Sequence, residues 1–257
     1  MLHFELINNK KDKYMVLFHG IGGDITTWDL QEKEFSQTHN LLLIDLPAHG
    51  KSSYDNEYIS ISGLNKDIKE VLDYVQITIA DFVGLSLGSM VMGNFILSYP
   101  QYVNKAVFVA SAIELNWFCK TIINFGYIFR KVLPYKPIYE FAIGAVAPQG
   151  KYKSDRRLYA RGFDRAGRKN LMHWLEYAKE TASRRKVRND LNKLCKPMLF
   201  VSGKNDIFFI SGSMKTANAI KSSEIVILKN SMHVCNRDEV QEFNCSVTEF
   251  LEKKHAL

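Results

Sequence analysis

The chain of 257 residues is long enough to bury a complete hydrophobic core, and its length requires no more than one catalytic domain with an inserted segment. A hydrophobic fraction of 46% and a charged fraction of 24% exclude a disordered or fibrous protein and are typical of a soluble globular one. The N-terminal residues do not show the basic start and apolar run of a signal peptide, and no stretch approaches the ~20 apolar residues of a membrane helix. We therefore expect a cytoplasmic protein without integral membrane contact.

The formal charge of +7 is concentrated in one segment of the sequence. Residues 151–190 contain thirteen Lys or Arg and five Asp or Glu, so the rest of the chain is close to neutral. This basic segment could attract an anionic leaving group or carrier, such as coenzyme A or a phospholipid head group. More often, such a segment is only the solvent-exposed face of a helix. No nucleic-acid-binding motif accompanies it, so we expect no nucleic acid partner. The four cysteines have no metal-ligand or redox spacing and are expected to be free thiols.

The first part of the chain alternates predicted strands and helices. Continuous apolar runs predict buried strands, and apolar residues at helical spacing predict helices packed on one face. The predicted elements are strands over residues 2–7, 14–18 and 40–46, a helix over 26–37, a helix from Ser60 or Ser62 to Val75, a strand and helix over 81–99, and a strand over 105–111.

The alternation stops after residue 111 and returns near residue 191. The intervening residues 112–190 are rich first in aromatic residues and then in basic ones, and we interpret them as a helical cap. The predicted elements after the cap are a strand over 197–201, a helix over 213–221, a strand over 225–228 and a C-terminal amphipathic helix. The pattern predicts an α/β fold with a mainly parallel sheet flanked by helices, its core formed by residues 1–111 and 191–257.

The most informative stretch is Gly84-Leu85-Ser86-Leu87-Gly88, which joins a predicted strand directly to a predicted helix. A sharp turn of this kind strains the central residue and requires glycines two positions away on each side. Ser86 would then stand clear of the sheet as a nucleophile, with the first free N–H groups of the helix beside it. The alternative is that Ser86 only caps the helix, but that role does not require glycine at both flanks.

Three of the five residues in His19-Gly20-Ile21-Gly22-Gly23 are glycines, and the stretch follows another buried strand. Such a loop can turn backbone N–H groups toward a ligand, so we predict substrate contacts at Gly20 and Gly22. The amide of Ile21 would form an oxyanion hole with the amide of Leu87. A simple tight turn remains the alternative. His49, which lies between Pro47 and Gly50, is predicted to be a hydrogen-bonded turn residue.

A serine hydroxyl needs a base, and the base needs a partner that holds its tautomer. His233, in the loop after the last predicted strand, is the predicted base, and Asp206, which follows the preceding strand, is its predicted partner. Because functional groups gather beyond the carboxyl ends of parallel strands, these residues would meet Ser86 at one edge. Glu114 and Asp24 are weaker alternative acids. Asp206 could instead cap a turn, and a loop histidine could simply be a surface residue.

With these residues assembled, the chain resembles an α/β-hydrolase of the cap-bearing esterase and lipase-like group. The matching stretches are His19 to Gly23 with Trp28, Asp45 to Ser52, Gly84 to Gly88, Gly203 to Asp206, and His233. The resemblance implies a Ser86, Asp206, His233 triad, an acyl-enzyme intermediate, oxyanion donors at Ile21 and Leu87, and no metal or organic cofactor. Serine at the nucleophile position argues against the aspartate-dependent dehalogenases and epoxide hydrolases.

The expected activity is hydrolysis of a carboxylic ester or thioester of a small to medium acyl substrate. Trp117 and Phe118 begin the aromatic part of the cap and are predicted to contact the substrate, although packing on the core is the more common reason for such residues. A lysophospholipase or monoacylglycerol-type lipase is the main alternative, followed by a peptidase or carbon–carbon bond hydrolase. A ligand receptor that retains the hydrolase fold is a different class of function.

Overall fold

A computed structural model describes residues 1–53, 59–129, 172–181 and 187–254. Within these ranges, seven strands form a single sheet in the order β1-β3-β2-β4-β5-β6-β7. The strands are β1 (Phe4–Ile7), β2 (Tyr14–Phe18), β3 (Asn40–Ile44), β4 (Ala80–Leu85), β5 (Val103–Val109), β6 (Met198–Gly203) and β7 (Ser223–Leu228).

The sheet is parallel except for β1, which pairs antiparallel with β3. The central strands are buried on both faces, which explains why their sequences are continuous apolar runs. The carboxyl ends of β2, β4, β6 and β7 therefore lie along one edge, and the segments that carry the predicted site residues all leave from it. The predicted α/β fold with a mainly parallel sheet is confirmed.

Helices cover both faces of the sheet. One apolar core includes the buried faces of Ile61–Tyr74 and Leu87–Ser98, and the other includes those of Asp29–Phe35 and Val240–Glu252. Every residue from Leu87 to Ile96 is buried, which is why this helix lacks a polar face. The remaining helices are a 3₁₀ helix Ile25–Trp28, a 3₁₀ turn Pro100–Tyr102, Trp117–Phe129, 172–181, Val187–Lys193, Ile210–Ala219 and Cys235–Asp238.

Two predicted helices differ from those observed. The helix expected over residues 26–37 is divided into the 3₁₀ helix Ile25–Trp28 and the α-helix Asp29–Phe35, and the Asp24 side chain caps the first of these by accepting the Thr26 N–H. The helix expected from residue 213 begins at Ile210, because the Ile210 N–H already donates to the Asp206 carbonyl. Capping contacts of this kind shift helix starts without changing the apolar pattern.

The predicted cap lies partly outside the described residues, as does most of the basic segment 151–190. Of the described residues within 112–190, the segment 172–181 packs on the core: Trp174 is buried and its indole Nε1–H donates to the Pro47 carbonyl at 3.0 Å. Asn94, on the helix that follows Ser86, donates through Nδ2 to the hydroxyls of Tyr177 and Thr181, each at 3.1 Å. No helix in the described ranges combines the length and apolarity needed to cross a membrane.

Lys105 ties the sheet to the C-terminal helix Val240–Glu252. Its ammonium is largely buried and donates to the carbonyls of Phe250 at 3.3 Å and of Leu251 and Lys253 at 2.7 Å. These carbonyls have no helical partner, so the lysine closes the end of the helix. Burial lowers the pKa of Lys105, because the ammonium loses contact with solvent.

We predict that Lys105→Met lowers the free energy of unfolding by about 1.5–3 kcal/mol, because charged hydrogen bonds to buried carbonyls are lost while the apolar stem is kept. The measurement is chemical denaturation followed by circular dichroism. Lys253→Met is the matched control, since the Lys253–Glu224 pair is largely exposed and its loss should change little. Equal effects of the two substitutions would contradict the prediction.

Candidate active site

Ser86 lies at the turn between β4 and the helix Leu87–Ser98 with φ 51° and ψ −110°, a conformation that costs free energy for any residue with a Cβ. The two glycines around it leave no room for side chains. A Cβ on Gly84 would lie 2.6 Å from the Gly88 carbonyl oxygen, and one on Gly88 would collide with the carbonyls of Phe18 and His19. The predicted requirement for glycine at both flanks is therefore explained by close backbone approach.

The hydroxyl of Ser86 does not cap the helix. It lies 2.8 Å from Nε2 of His233, whose Nδ1 lies 2.8 Å from Oδ2 of Asp206. All three residues are buried, with exposed fractions of 8%, 6% and 2%. With the imidazole proton on Nδ1, the histidine donates to the carboxylate and accepts the serine O–H. In this arrangement the imidazole can remove the serine proton, and the carboxylate can stabilise the imidazolium that forms.

The Asp206 carboxylate makes two contacts: Oδ2 lies beside His233, and Oδ1 accepts the Phe209 N–H at 3.3 Å. Phe209 packs its ring against the imidazole of His233, with ring centroids 4.3 Å apart. The capping role considered as an alternative for Asp206 thus coexists with the contact to His233. Packing and capping together hold the carboxylate and the ring in one orientation.

The two alternative acids have other partners. Glu114 accepts from Arg188 at 2.8 Å and also pairs with Lys215. Asp24 accepts from the backbone and hydroxyl of Thr26. The His233–Asp206 contact, by contrast, is the one that the sequence predicted at this edge of the sheet.

The glycine loop after β2 runs alongside Ser86. A Cβ built on Gly20 would lie 3.6 Å from the Ser86 Cβ, so these two segments of the chain are in contact. The Ser86 N–H donates to the Val109 carbonyl, and the Gly22 N–H donates to Nε2 of His49. Among the described residues, no acceptor is found for the N–H groups of Ile21 and Leu87. The N–H groups of Ile21 and Leu87 differ in this respect from that of Gly22, which is bonded to His49.

Two buried histidines fix this loop, and only one was singled out from the sequence. His49 donates from Nδ1 to the Pro47 carbonyl at 3.0 Å while it accepts the Gly22 N–H, as expected for a turn residue. His19 donates from Nδ1 to the Gly20 carbonyl and accepts the Leu46 N–H at Nε2. Burial lowers the pKa of His19 to about 4 and that of His49 to about 3, so both rings are neutral at pH 7.

Asp45 is a second support that the sequence did not reveal as such. Its Oδ1 accepts the Ile25 N–H and its Oδ2 accepts the Lys51 N–H, each at 2.9 Å, and Oδ2 also lies 2.7 Å from Nδ1 of His3. The carboxylate therefore joins the segments that follow β2 and β3. Its position directly after a buried strand is the signal that could have identified it.

Trp117 and Phe118, the two aromatic residues predicted to contact the substrate, are more exposed to solvent than Ser86. Trp117 is 78% exposed and Phe118 is 41% exposed, and Phe118 stacks on Phe208 with centroids 5.9 Å apart. Phe208 lies two residues after Asp206. The N-terminal end of the helix Trp117–Phe129 is therefore next to the loop that carries Asp206, which we call the acid loop. Asn116 strengthens the connection by donating to the Phe208 carbonyl at 3.0 Å.

No group of three His, Cys, Asp or Glu residues in the described part of the chain is arranged to hold a metal ion. Cys235 is two residues beyond His233, but it is buried, and burial raises its thiol pKa. A buried thiol with a raised pKa is a poor nucleophile, so Cys235 contributes to packing rather than to chemistry.

Comparison with known proteins identifies the family. The sequence profile described as "alpha/beta hydrolase fold" matches residues 13–234, which is most of the chain and contains Ser86, Asp206 and His233. The chain belongs to the α/β-hydrolase family.

Similar proteins share this fold and, in part, this sequence. A pimeloyl-[acyl-carrier protein] methyl ester esterase of Vibrio vulnificus is 29% identical over 120 residues, which is 45% of this chain and 44% of that protein. The aligned stretches cover from 26% to 44% of such curated relatives. A solved hydrolase from Pseudomonas aeruginosa PA01 superposes with a TM-score of 0.84 at 22% identity, covering 97% of this chain and 94% of that one. The enol-lactonase of Burkholderia xenovorans LB400 gives 0.81 at 18% identity, with 98% and 96% covered.

The two neutral histidines predict how stability depends on pH. Each has a folded-state pKa below the ordinary value of 6.5, so below pH 6.5 the unfolded chain binds the proton that the folded chain does not. As the pH is lowered below 6.5, the free energy of unfolding should therefore decrease by about 1.4 kcal/mol per pH unit for each histidine. The decrease should end at the folded-state pKa values. His49→Gln, which can still accept the Gly22 N–H, should reduce this slope.

Urea denaturation of the wild type and of His49→Gln at pH 7, 6 and 5 measures the difference. Other titrating groups contribute equally to both proteins, so comparing the slopes isolates the histidine. Parallel pH dependences in the two proteins would show that the buried ring does not titrate on unfolding.

Proposed function

We propose that this chain is a serine hydrolase that cleaves a carboxylic ester or thioester through an acyl-enzyme on Ser86. The single observation that carries the proposal is the pair of 2.8 Å contacts from the two ring nitrogens of His233 to Ser86 and Asp206. Acyl transfer also requires a site for the oxyanion, and the N–H groups of Leu87, directly after the serine, and of Ile21, directly after Gly20, are the proposed donors. Membership of the α/β-hydrolase family is consistent with this chemistry.

In the proposed cycle, Ser86 Oγ attacks the substrate carbonyl as its proton passes to Nε2 of His233. The carbonyl oxygen becomes an oxyanion that the N–H groups of Ile21 and Leu87 stabilise, each contributing on the order of 3–4 kcal/mol. The imidazolium, oriented by Asp206, then protonates the leaving alkoxide or thiolate. Water activated by the same imidazole attacks the acyl-enzyme, releases the acid and restores the Ser86 hydroxyl.

The substrate class is proposed from chemistry and from the relatives. An ester, a thioester and a lactone all present an activated carbonyl with a leaving oxygen or sulfur, and the names of the similar proteins include an esterase and an enol-lactonase. The exposed aromatic residues Trp117 and Phe118, next to the acid loop, support an apolar acyl group on the substrate. The basic segment 151–190 supports an anionic leaving group or carrier.

We predict that Ser86→Ala lowers kcat for p-nitrophenyl butyrate by on the order of 10⁴-fold or more, because no nucleophile remains. Wild-type protein should also be labelled by a fluorophosphonate at Ser86, and the variant should not. Ser53→Ala, a change at an exposed serine, is the matched control and should keep both properties. Slow single turnover with retained product in the wild type would instead indicate a receptor, and equal activity of Ser86→Ala would end the proposal.

The choice of acid is tested separately. Asp206→Asn should lower kcat by about 10⁴-fold, because the amide can favour the wrong imidazole tautomer and cannot stabilise the imidazolium. Glu114→Gln is the comparison, since its carboxylate contacts Arg188 and Lys215 rather than the histidine. Steady-state rates of the two variants decide the assignment, and a larger loss in Glu114→Gln would reverse it.

A further inference from the structure

The loop that carries His233 has to place the imidazole to within about 1 Å. The loop itself lies outside the strands of the sheet. Residues 229–234 leave the sheet after β7 and end at the short helix Cys235–Asp238. The imidazole nevertheless lies 2.8 Å from two separate partners. Its backbone must therefore be fixed by side chains from elsewhere.

Two consecutive carboxylates supply most of that support. Oε2 of Glu239 accepts the Asn230 N–H at 2.9 Å and the Ser231 hydroxyl at 2.6 Å, and Oε1 accepts from Nδ2 of Asn230 at 3.0 Å. Oδ2 of Asp238 accepts the Met232 N–H at 2.7 Å. Donors from three successive residues before His233 thus converge on residues 238 and 239.

Ser231 extends this support to the acid. Its carbonyl accepts the N–H of Asn205, the residue before Asp206, at 3.0 Å, while its buried hydroxyl donates to Glu239. The two loops are in direct contact here, since a Cβ on Gly203 would collide with the carbonyls of Ser231 and Met232. One chain of hydrogen bonds therefore runs from the Glu239 carboxylate through Ser231 to the Asp206 loop.

We propose that Glu239 is a positioning residue for the reaction: through Ser231 it sets the placement of His233 and Asp206 relative to Ser86. This inference rests on the proposed function. Glu239 touches neither the serine nor the substrate carbonyl in this scheme and acts entirely through the loop. A charged acceptor suits the role because it binds three donors at once, and charge-assisted hydrogen bonds are stronger than neutral ones.

The substitution Glu239→Ala should lower kcat for p-nitrophenyl butyrate by about tenfold to a hundredfold, the range expected when a catalytic group is displaced by a fraction of an ångström to one ångström. KM should stay within about twofold, because substrate binding does not use this carboxylate. Glu239→Gln keeps one acceptor oxygen and should fall between the wild type and Glu239→Ala. Glu242→Ala, at an exposed glutamate in the next turn, is the matched control and should retain the wild-type kcat.

Active sites are counted by fluorophosphonate titration, so that kcat is expressed per competent site. A merely structural role would lower the melting temperature or the competent fraction but leave kcat per site unchanged, and that result would overturn the proposal. The rate constant of fluorophosphonate labelling should fall in parallel with kcat, since it depends on the same proton transfer. Ser231→Ala, which removes one small hydroxyl, provides a second variant if Glu239→Ala folds poorly.

A double-substitution cycle tests the route through Ser231. If the two residues act in series, Glu239→Ala combined with Ser231→Ala should be no slower than Glu239→Ala alone. Multiplicative losses would show that the residues act independently and would overturn the route. Failure here is distinguishable from failure of the proposed function: an active wild type that loses activity in Ser86→Ala but keeps kcat in Glu239→Ala refutes only the role of Glu239.

Discussion

The structure depends on one strained turn, in which β4 ends and a helix begins without an intervening loop. Ser86 adopts a positive φ there, and its N–H is anchored to the Val109 carbonyl on the neighbouring strand. Close backbone contacts on both sides hold the strained turn in place: the carbonyls of Phe18 and His19 occupy the space beside Gly88. The close approach that forbids a side chain at Gly88 also brings the glycine loop after β2 next to Ser86. Strain and site geometry thus have the same cause.

Buried polar groups keep the loops around this turn in place. His19, His49 and Asp45 each satisfy backbone N–H groups that a sheet or helix would otherwise satisfy. Histidine suits positions 19 and 49 because a neutral imidazole offers one donor and one acceptor on opposite sides of a rigid ring. The same choice makes the loop sensitive to acid, since protonation would remove the acceptor that holds the Gly22 or Leu46 amide.

The fold and the proximity of Ser86, Asp206 and His233 were predictable because they depend on local rules. Continuous apolar runs identified the strands, and parallel strands place their carboxyl ends at one edge, which brought Ser86, Asp206 and His233 together without any knowledge of distances. The start of the helix at Ile210 was not predictable in this way, because it depends on a carbonyl whose position the tertiary fold sets. The role of His19 was also hidden, since its partner Leu46 is distant in sequence. The contacts of Trp117 and Phe118 could not be predicted, because aromatic composition does not distinguish a pocket from a packed or exposed surface.

In the proposed mechanism the base is a histidine on a loop, and this poses a physical problem for the site. Ser86 is fixed by the backbone itself, and Asp206 by the turn that begins the next helix, but the imidazole must reach between them from a segment without regular hydrogen bonds. A flexible loop would lose conformational entropy each time the ring came into place, and that loss would add to the barrier of every turnover. Ordering the loop in the free protein removes this cost. The ring of Phe209 restricts the imidazole from one side, and the carboxylates of Asp238 and Glu239 restrict its backbone. The geometry of the site is therefore set in two ways: close backbone packing around two glycines places Ser86, whereas side chains that contact neither Ser86 nor Asp206 place the backbone before His233.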